Sequence, residues 1–374
     1  MLGSQSADSA KRSSLHGHWS SRMAFILAVT GSAVGLGNIW RFPYVVGENG
    51  GGAFVLVYLA CVLVIGMPVM MSEILIGRRG RRNPIATMAL LGGEEGKSKH
   101  WSFVGALGVI AGVLILSYYA VIGGWTLAYV LKSGSGAFAD AGADIVKGIR
   151  DTFLSSWSTV GLYHTLFMGL TIFVVARGVE RGLEQAVRFM VPALLLLMVV
   201  LLGYSITTGY FGQGVSFLFT PDWSKLTWDT VLTAMGQAFF TLSIGMGAVM
   251  AYGAYLPEET SIPGSAAAVA MSDTAIALLA GLVIFPIVFA NGLDPAAGPG
   301  LVFITLPLAF GQMPGGIFFA TIFFVLLTFA AWTSAISLME PAVAWIMERF
   351  NKTRAQAAVM IGLLIWAAGF GTVL

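Results

Sequence analysis

A chain of 374 residues that is 57% hydrophobic and only 10% charged lies far from the roughly 25% charged content of soluble domains. It reads as a polytopic membrane protein, which excludes a soluble globular domain. The formal net charge of +2 says nothing about partners by itself, and the single cysteine, Cys61, leaves no disulfide framework and no cysteine-based metal site.

Residues 1–18 are serine-rich, carry Lys11 and Arg12, and read as a disordered cytoplasmic arm. The apolar run behind them is too long for a signal peptide and lacks its cleavage site. Segments of spanning length follow near 22–44, 51–77, 102–131, 160–176, 187–209, 230–255, 264–290, 315–347 and 355–374. The links after the second, fourth and eighth carry Arg78, Arg79, Arg81 and Arg82, then Arg177, Arg181 and Arg188, then Arg349, Lys352 and Arg354. If every segment spans, all three links share a side with the N-terminus, which the positive-inside rule makes the cytoplasm. Of the 20 Lys and Arg, 15 fall there, 4 (Lys132, Lys147, Arg150, Lys225) fall outside, and Arg41 lies within a span. The external loop at 291–314 is too apolar for a solvated linker, and its residues near 292–314 predict a helical hairpin over the outer mouth. His16, His18, His100 and His164 sit at segment edges or in loops, without metal-ligand spacing, and read as surface or interface residues.

Gly31-Ser32-Ala33-Val34-Gly35-Leu36-Gly37-Asn38 stands in the middle of the first span. Each glycine costs about 1 kcal/mol against alanine in a helix interior, and Ser32 and Asn38 offer the backbone competing hydrogen bonds. The helix should break there. Unwound backbone is tolerated at membrane depth only where it lines a cavity or is buried in protein, so the stretch predicts a polar site. A glycine-rich helix-packing face is the competing reading. Thr241-Leu242-Ser243-Ile244-Gly245-Met246-Gly247 interrupts the sixth span in the same manner, five spans later. Two broken helices at corresponding positions point to a secondary transporter of inverted repeats, with its site at the repeat interface.

Arg41, Glu48, Glu73, Asp273 and Glu340 fall within spans or at their ends, where a charge costs about 2.5–3.5 kcal/mol. Asp273 has no basic residue near it in sequence, and a bound cation would resolve it. Asn38, Thr241, Asp273, Thr333, Ser334 and freed carbonyls form an oxygen set suited to a hard ion such as sodium. No nucleophile, base and orienting group come together, so the chain does not read as an enzyme. No filter motif marks a channel either.

Trp19-Ser20-Ser21-Arg22, Gly31 to Asn38, Arg41-Phe42-Pro43-Tyr44, Glu48 to Phe54 and Gly236 to Ser243 resemble the neurotransmitter:sodium symporter family, most closely its bacterial amino-acid transporters. The likeness runs from Trp19 to the end of the chain. It implies an all-α integral membrane fold, a LeuT-like inverted-repeat bundle with discontinuous first and sixth helices. The first repeat would be 19–209, 210–229 an external loop, and 230–374 a partial second repeat of spans 6–9. The family has eleven or twelve spans, so the resemblance implies a chain truncated in its ninth span, with the acidic partner of Arg41 in the missing tenth.

The family's function implies a sodium-coupled symporter importing a small hydrophobic or aromatic L-amino acid by alternating access. The rival is a non-transporting sodium-dependent amino-acid-binding protein or an inactive truncation. One sodium site would use Ala33, Asn38, Thr241 and Asp273 with the substrate carboxylate. A second would use Gly31, Val34, Ala330, Thr333 and Ser334. Substrate would meet Ser32, Ala33, Leu36, Gly37, Ile115, Tyr119, Phe240, Thr241, Ser243, Met246, Ser334 and Leu338. Gates would involve Arg41, Tyr119, Phe240, Tyr255 and Glu348, with His16 at the position of the family's inner-gate arginine and Arg12 as its substitute. Chloride should not be required, because Asp273 supplies a negative charge and Ala277 replaces the serine of chloride-dependent relatives. Partners would be the amino acid and membrane lipid, not nucleic acid. The chain, a monomer or a dimer, would sit in the bacterial inner membrane.

Overall fold

The computed structural model describes residues 19–373. Among these the chain is helical throughout, apart from one isolated bridge between Gly51 and Pro221. In order the helices are α1 (Arg22–Ala33), α2 (Gly37–Glu48), α3 (Gly52–Gly80), α4 (Pro84–Glu94), α5 (Lys99–Gly134), α6 (Ala143–Ser155), α7 (Trp157–Ala176) and α8 (Gly182–Thr207). There follow α9 (Phe211–Phe219), α10 (Trp228–Thr241), α11 (Ala248–Ala254), α12 (Ile262–Ala290), α13 (Leu301–Gly311), α14 (Gly316–Phe350) and α15 (Arg354–Val373).

Seven of them (α3, α5, α7, α8, α12, α14 and α15) are long and apolar enough to cross a bilayer, and the pair α1 and α2, bent by 47°, makes up to eight. The sixth expected span does not meet that length, because α10 has 14 residues and α11 has 7 and they are separated by 242–247. Three loop helices, α4, α6 and α9, were not legible in the apolar pattern. They are short and lie in links expected to be irregular. The loop before α14 forms one short helix, α13, preceded by turns, rather than a hairpin.

Glycines let the helices approach closely. At Gly77 of α3 a Cβ would run into the Met250 carbonyl of α11, and at Gly253 it would come within 3.0 Å of Ile74 backbone. The short half-helix α11 is thereby held flush against α3.

The end of the bundle at Trp19 is sealed by aromatic rings and a buried ion pair. Trp19 donates its indole N–H to the Tyr252 carbonyl (3.1 Å) and its amide to the Tyr255 carbonyl (3.1 Å), and its ring meets Tyr252 edge-on. Tyr255 donates to Glu340 at 2.7 Å, and Arg354 engages both carboxylate oxygens of Glu340. Arg354, read from sequence as part of a cytoplasmic link, is thus tucked inward with a side chain only 13% exposed. His164 also departs from its surface reading. It is fully buried between α7 and α15, with Nε2 3.1 Å from the Trp366 carbonyl. His100 is exposed, while His16, His18 and Arg12 lie outside the described residues.

Because removing one member of a buried pair leaves an uncompensated charge, Arg354→Ala should destabilise the protein by about 3–5 kcal/mol. The double replacement Arg354→Met with Glu340→Gln should recover most of that loss. Thermal unfolding of the purified variants checks this, and a double variant no better than the single one contradicts the coupling.

Candidate substrate and ion site

α1 ends at Ala33, and Val34 takes an extended conformation (φ −72°, ψ 103°), so the helix opens where glycine density is highest. The freed backbone groups then find side chains rather than water. Asn38 Oδ1 accepts from the Gly35 amide at 3.1 Å, and the Tyr119 hydroxyl of α5 accepts from the Leu36 amide at 3.2 Å. The Ser32 carbonyl takes two hydroxyls at 3.0 Å each, from Ser243 of the second break and Ser334 of α14. Gln237 of α10 donates to the Gly37 carbonyl at 2.8 Å. Ser32 itself donates to Ser337 at 2.7 Å.

The second break, 242–247, turns through left-handed backbone at Ser243 (φ 53°), Gly245 (φ 82°) and Gly247 (φ 76°). Only glycine adopts this freely, so Ser243 stores a strain of about 1–3 kcal/mol, held by its bond to Ser32. Glu73 of α3 accepts the Gly245 amide at 2.6 Å, and its other carboxylate oxygen is buried without a partner among the described residues.

Asp273 of α12 is fully buried where the two breaks meet. Asn38 Nδ2 donates to its carboxylate at 2.8 Å and to its backbone carbonyl at 3.0 Å, and Thr241 donates to its two carboxylate oxygens at 3.1 and 3.0 Å. The structure therefore brings Asn38, Thr241 and Asp273 together around one carboxylate. On the opposite side of the first break, Thr333 donates to the carbonyls of Ala330 (3.0 Å) and, at 3.5 Å, Val34. Its Cβ also lies against Gly31. Ser334 is directed to Ser32 rather than to this group.

Between them lies a cavity of about 20 Å³ lined by Ser32, Ala33, Gly35, Gly37, Ile115, Tyr119, Phe240, Ser243, Met246, Ser334 and Leu338. That is room for about one water molecule. Leu36 and Thr241, expected at the substrate, do not line the cavity: the Leu36 amide bonds to the Tyr119 hydroxyl of its wall, and the Thr241 hydroxyl turns to Asp273. Gly35 was missed, although it belongs to the broken stretch. Its bare face touches the hydroxyls of Ser334 and Tyr119, a closeness only tertiary structure reveals. Gln237 and Glu73 were also missed as backbone partners, and Ser337 as the acceptor of the Ser32 hydroxyl. Arg41 binds Gln237 and lies 5.4 Å from the Phe240 ring centre, so it caps the side of the cavity away from Trp19. Glu348 accepts the Asn83 amide at 2.6 Å, and Tyr255 serves Glu340, both on the Trp19 side.

Comparison with known proteins places this geometry in context. The profile of the sodium:neurotransmitter symporter family matches residues 16–142 and 138–373. The chain is 40% identical to an uncharacterized sodium-dependent transporter of Bacillus subtilis over 94% of its own length and 77% of that protein. It is 37% identical to one from Haemophilus influenzae over 91% and 76%. Among solved structures it resembles MhsT in complex with L-phenylalanine, with a TM-score of 0.88, 44% identity, and coverage of 96% of this chain and 80% of that one.

The bonds around Asp273 separate structural from chemical roles. Asp273→Ala leaves Thr241 without its carboxylate acceptor and Asn38 with only the backbone carbonyl of residue 273, and should cost about 1–3 kcal/mol of stability. Asp273→Asn keeps an acceptor oxygen and should stay closer to the parent in thermal unfolding. Equal losses for both variants would mean that the hydrogen bonds contribute nothing.

Proposed function

The chain belongs to the sodium:neurotransmitter symporter family, and we propose that it is a sodium-coupled symporter that imports a hydrophobic or aromatic L-amino acid by alternating access. The observation that carries this reading is the junction of both helix breaks on the Asp273 carboxylate, beside a cavity with polar and apolar walls. A family of transporters, not of enzymes, is the setting in which such a junction has a use.

In this reading the substrate carboxylate sits on the amides of Leu36 and Gly37 at the start of α2, where the helix dipole favours an anion. The Tyr119 hydroxyl, already 3.2 Å from the Leu36 amide, adds a donor. The ammonium meets the carbonyls of Ala33, Phe240 and Thr241 and the Ser243 hydroxyl. Sodium takes Ala33, Asn38, Thr241, Asp273 and the substrate carboxylate, so that ion and substrate complete each other's shell. A second sodium takes the carbonyls of Gly31, Val34 and Ala330 with Thr333 and Ser334, once Ser334 turns from Ser32. Tyr119 and Phe240 form the thin gate, and the Tyr255–Glu340–Arg354 layer with Glu348 the thick one. The thick gate faces the cytoplasm of the inner membrane, with the N-terminus on the same side.

Ile115, Phe240, Met246 and Leu338 bring no charge to the wall. A 20 Å³ cavity admits a side chain only if its walls part, and Met246, unbranched and flanked by Gly245 and Gly247, is the wall best able to move. The phenylalanine bound to MhsT supports an aromatic substrate here. Asp273 makes chloride unnecessary: a second anion 4 Å away would be opposed by about 4 kcal/mol at an effective dielectric near 20, and Ala277, one turn along α12, has no hydroxyl to offer.

Two measurements follow. L-phenylalanine or L-leucine should raise the unfolding temperature in sodium but not in potassium or choline, whereas L-aspartate and L-lysine should not. An equal shift in potassium would end the coupling argument. Binding should be the same in chloride and gluconate, and Asp273→Asn with Ala277→Ser should make it depend on chloride. A parent protein that loses binding in gluconate contradicts the charge assignment.

A further inference from the structure

A lateral groove of about 480 Å³ opens between α5 and α7, and none of its lining residues borders the cavity at the helix breaks. Its walls are Leu127 and Leu131 of α5 and Leu166 and Leu170 of α7. Gly169 keeps the space between them open, since a Cβ added there would meet nothing within 4 Å. Leu131 and Leu166 leave 63% and 50% of their surface uncovered by protein. The Thr165 hydroxyl in the lining is already satisfied, because it donates to the Gly161 carbonyl at 2.7 Å and accepts the Trp366 indole at 2.9 Å. The interior of the groove therefore suits hydrocarbon rather than water.

One end of the groove differs in kind. Tyr163, part of the lining, has its ring 6.1 Å from that of Phe153 in α6. Lys132, the residue after Leu131, holds its ammonium 5.5 Å from the centre of the same Phe153 ring. Arg150 of α6 is paired with Asp151 at 3.1 Å, whereas Lys132 has no ion-pair partner among the described residues. The Tyr163 hydroxyl likewise has no hydrogen bond among them. An apolar trough that ends at a phenol and an unpaired cation is complementary to an amphiphile with an anionic head. The lysine stem supports this, since it lies along apolar surface while its charge stays at the edge.

The chain crosses the membrane several times, so the groove meets lipid. Acyl chains are as apolar as leucine, and filling the trough with one does not by itself favour any lipid over another. Selection has to come from the headgroup. A lysine near the membrane surface favours an anionic headgroup by about fivefold.

We infer that the groove between α5 and α7 is a phospholipid site selective for an anionic headgroup. One acyl chain lies along Leu127, Leu166 and Leu170, and the phosphate meets the Lys132 ammonium and the Tyr163 hydroxyl. The site shares no residue with the cavity at the breaks, so it stands or falls independently of sodium coupling.

The test is native mass spectrometry of the full chain in detergent, with dioleoyl phosphatidylglycerol and dioleoyl phosphatidylcholine present in equal amounts. The parent should retain phosphatidylglycerol about fivefold over phosphatidylcholine. Lys132→Gln should bring the two lipids level, and Tyr163→Phe should lower phosphatidylglycerol by a smaller factor. Gly169→Leu fills the groove and should remove the selective adduct. Gly203→Leu, the same change on the exposed face of α8 where a Cβ also meets nothing within 4 Å, should leave it. Leucine is the better helix former, so neither glycine variant should disturb the fold. Equal retention of both lipids by the parent, a preference that survives Lys132→Gln or Gly169→Leu, or an equal loss from Gly203→Leu overturns the inference. A dimer that Gly169→Leu dissociates also overturns it, because the groove would then hold a second copy, as does occupancy by detergent alone.

Discussion

Everything in this structure depends on how the backbone released by two broken helices is satisfied where water is scarce. An unpaired amide or carbonyl in an apolar interior costs several kcal/mol. Here several of the groups freed at the first break are met by side chains: the Gly35 amide by Asn38, the Leu36 amide by Tyr119, the Ser32 carbonyl by Ser243 and Ser334, and the Gly37 carbonyl by Gln237. Most of those side chains belong to other helices. The bonds that permit the helix to break are therefore the bonds that hold α5, α10, α12 and α14 around it, and the cavity is what remains between them.

The two ends of the bundle close by different means. On the Trp19 side, edge-on and tilted aromatic contacts, the Glu340–Arg354 pair and Arg81 bonded to the carbonyls of Ala254 and Leu256 make a thick, cross-linked layer. On the other side, Arg41 reaches Gln237 and lies near one aromatic ring, and the Trp40 indole donates to the Pro299 carbonyl at 3.2 Å. Fewer bonds separate the cavity from that end, so less must be broken to open it. In the proposed alternating-access cycle, that asymmetry would set a thin gate of side chains against a whole layer.

Buried charge is handled in two ways. Glu340 is neutralised by the bidentate guanidinium of Arg354, a geometry that suits burial. Asp273 receives only neutral donors, from Asn38 and Thr241, and has no cationic side chain bonded to it among the described residues. Hydrogen bonds alone compensate such a carboxylate poorly, which is the reason the proposed sodium is assigned to it. Glu73 likewise meets only a neutral donor among the described residues, the Gly245 amide, so of the buried carboxylates Glu340 is the one paired with a cationic side chain.

Much of this was legible in residue order. The apolar lengths set the spans, the glycine clusters at 31–37 and 245–247 set the breaks, and an aspartate without a basic neighbour marked the carboxylate at which both breaks meet, because helix propensity and burial cost act locally along the chain. The short helices α4, α6 and α9 were not legible, since their apolar faces are too brief to show a period. Nor was it visible that Arg354 leaves its basic link to meet Glu340, that His164 is buried against Trp366, or that Gly35 forms a cavity wall. Residue order determined where the helices break and which groups are costly to bury; only the tertiary structure decided who satisfies them, because a hydrogen bond across 200 or more residues leaves no periodic trace in the chain.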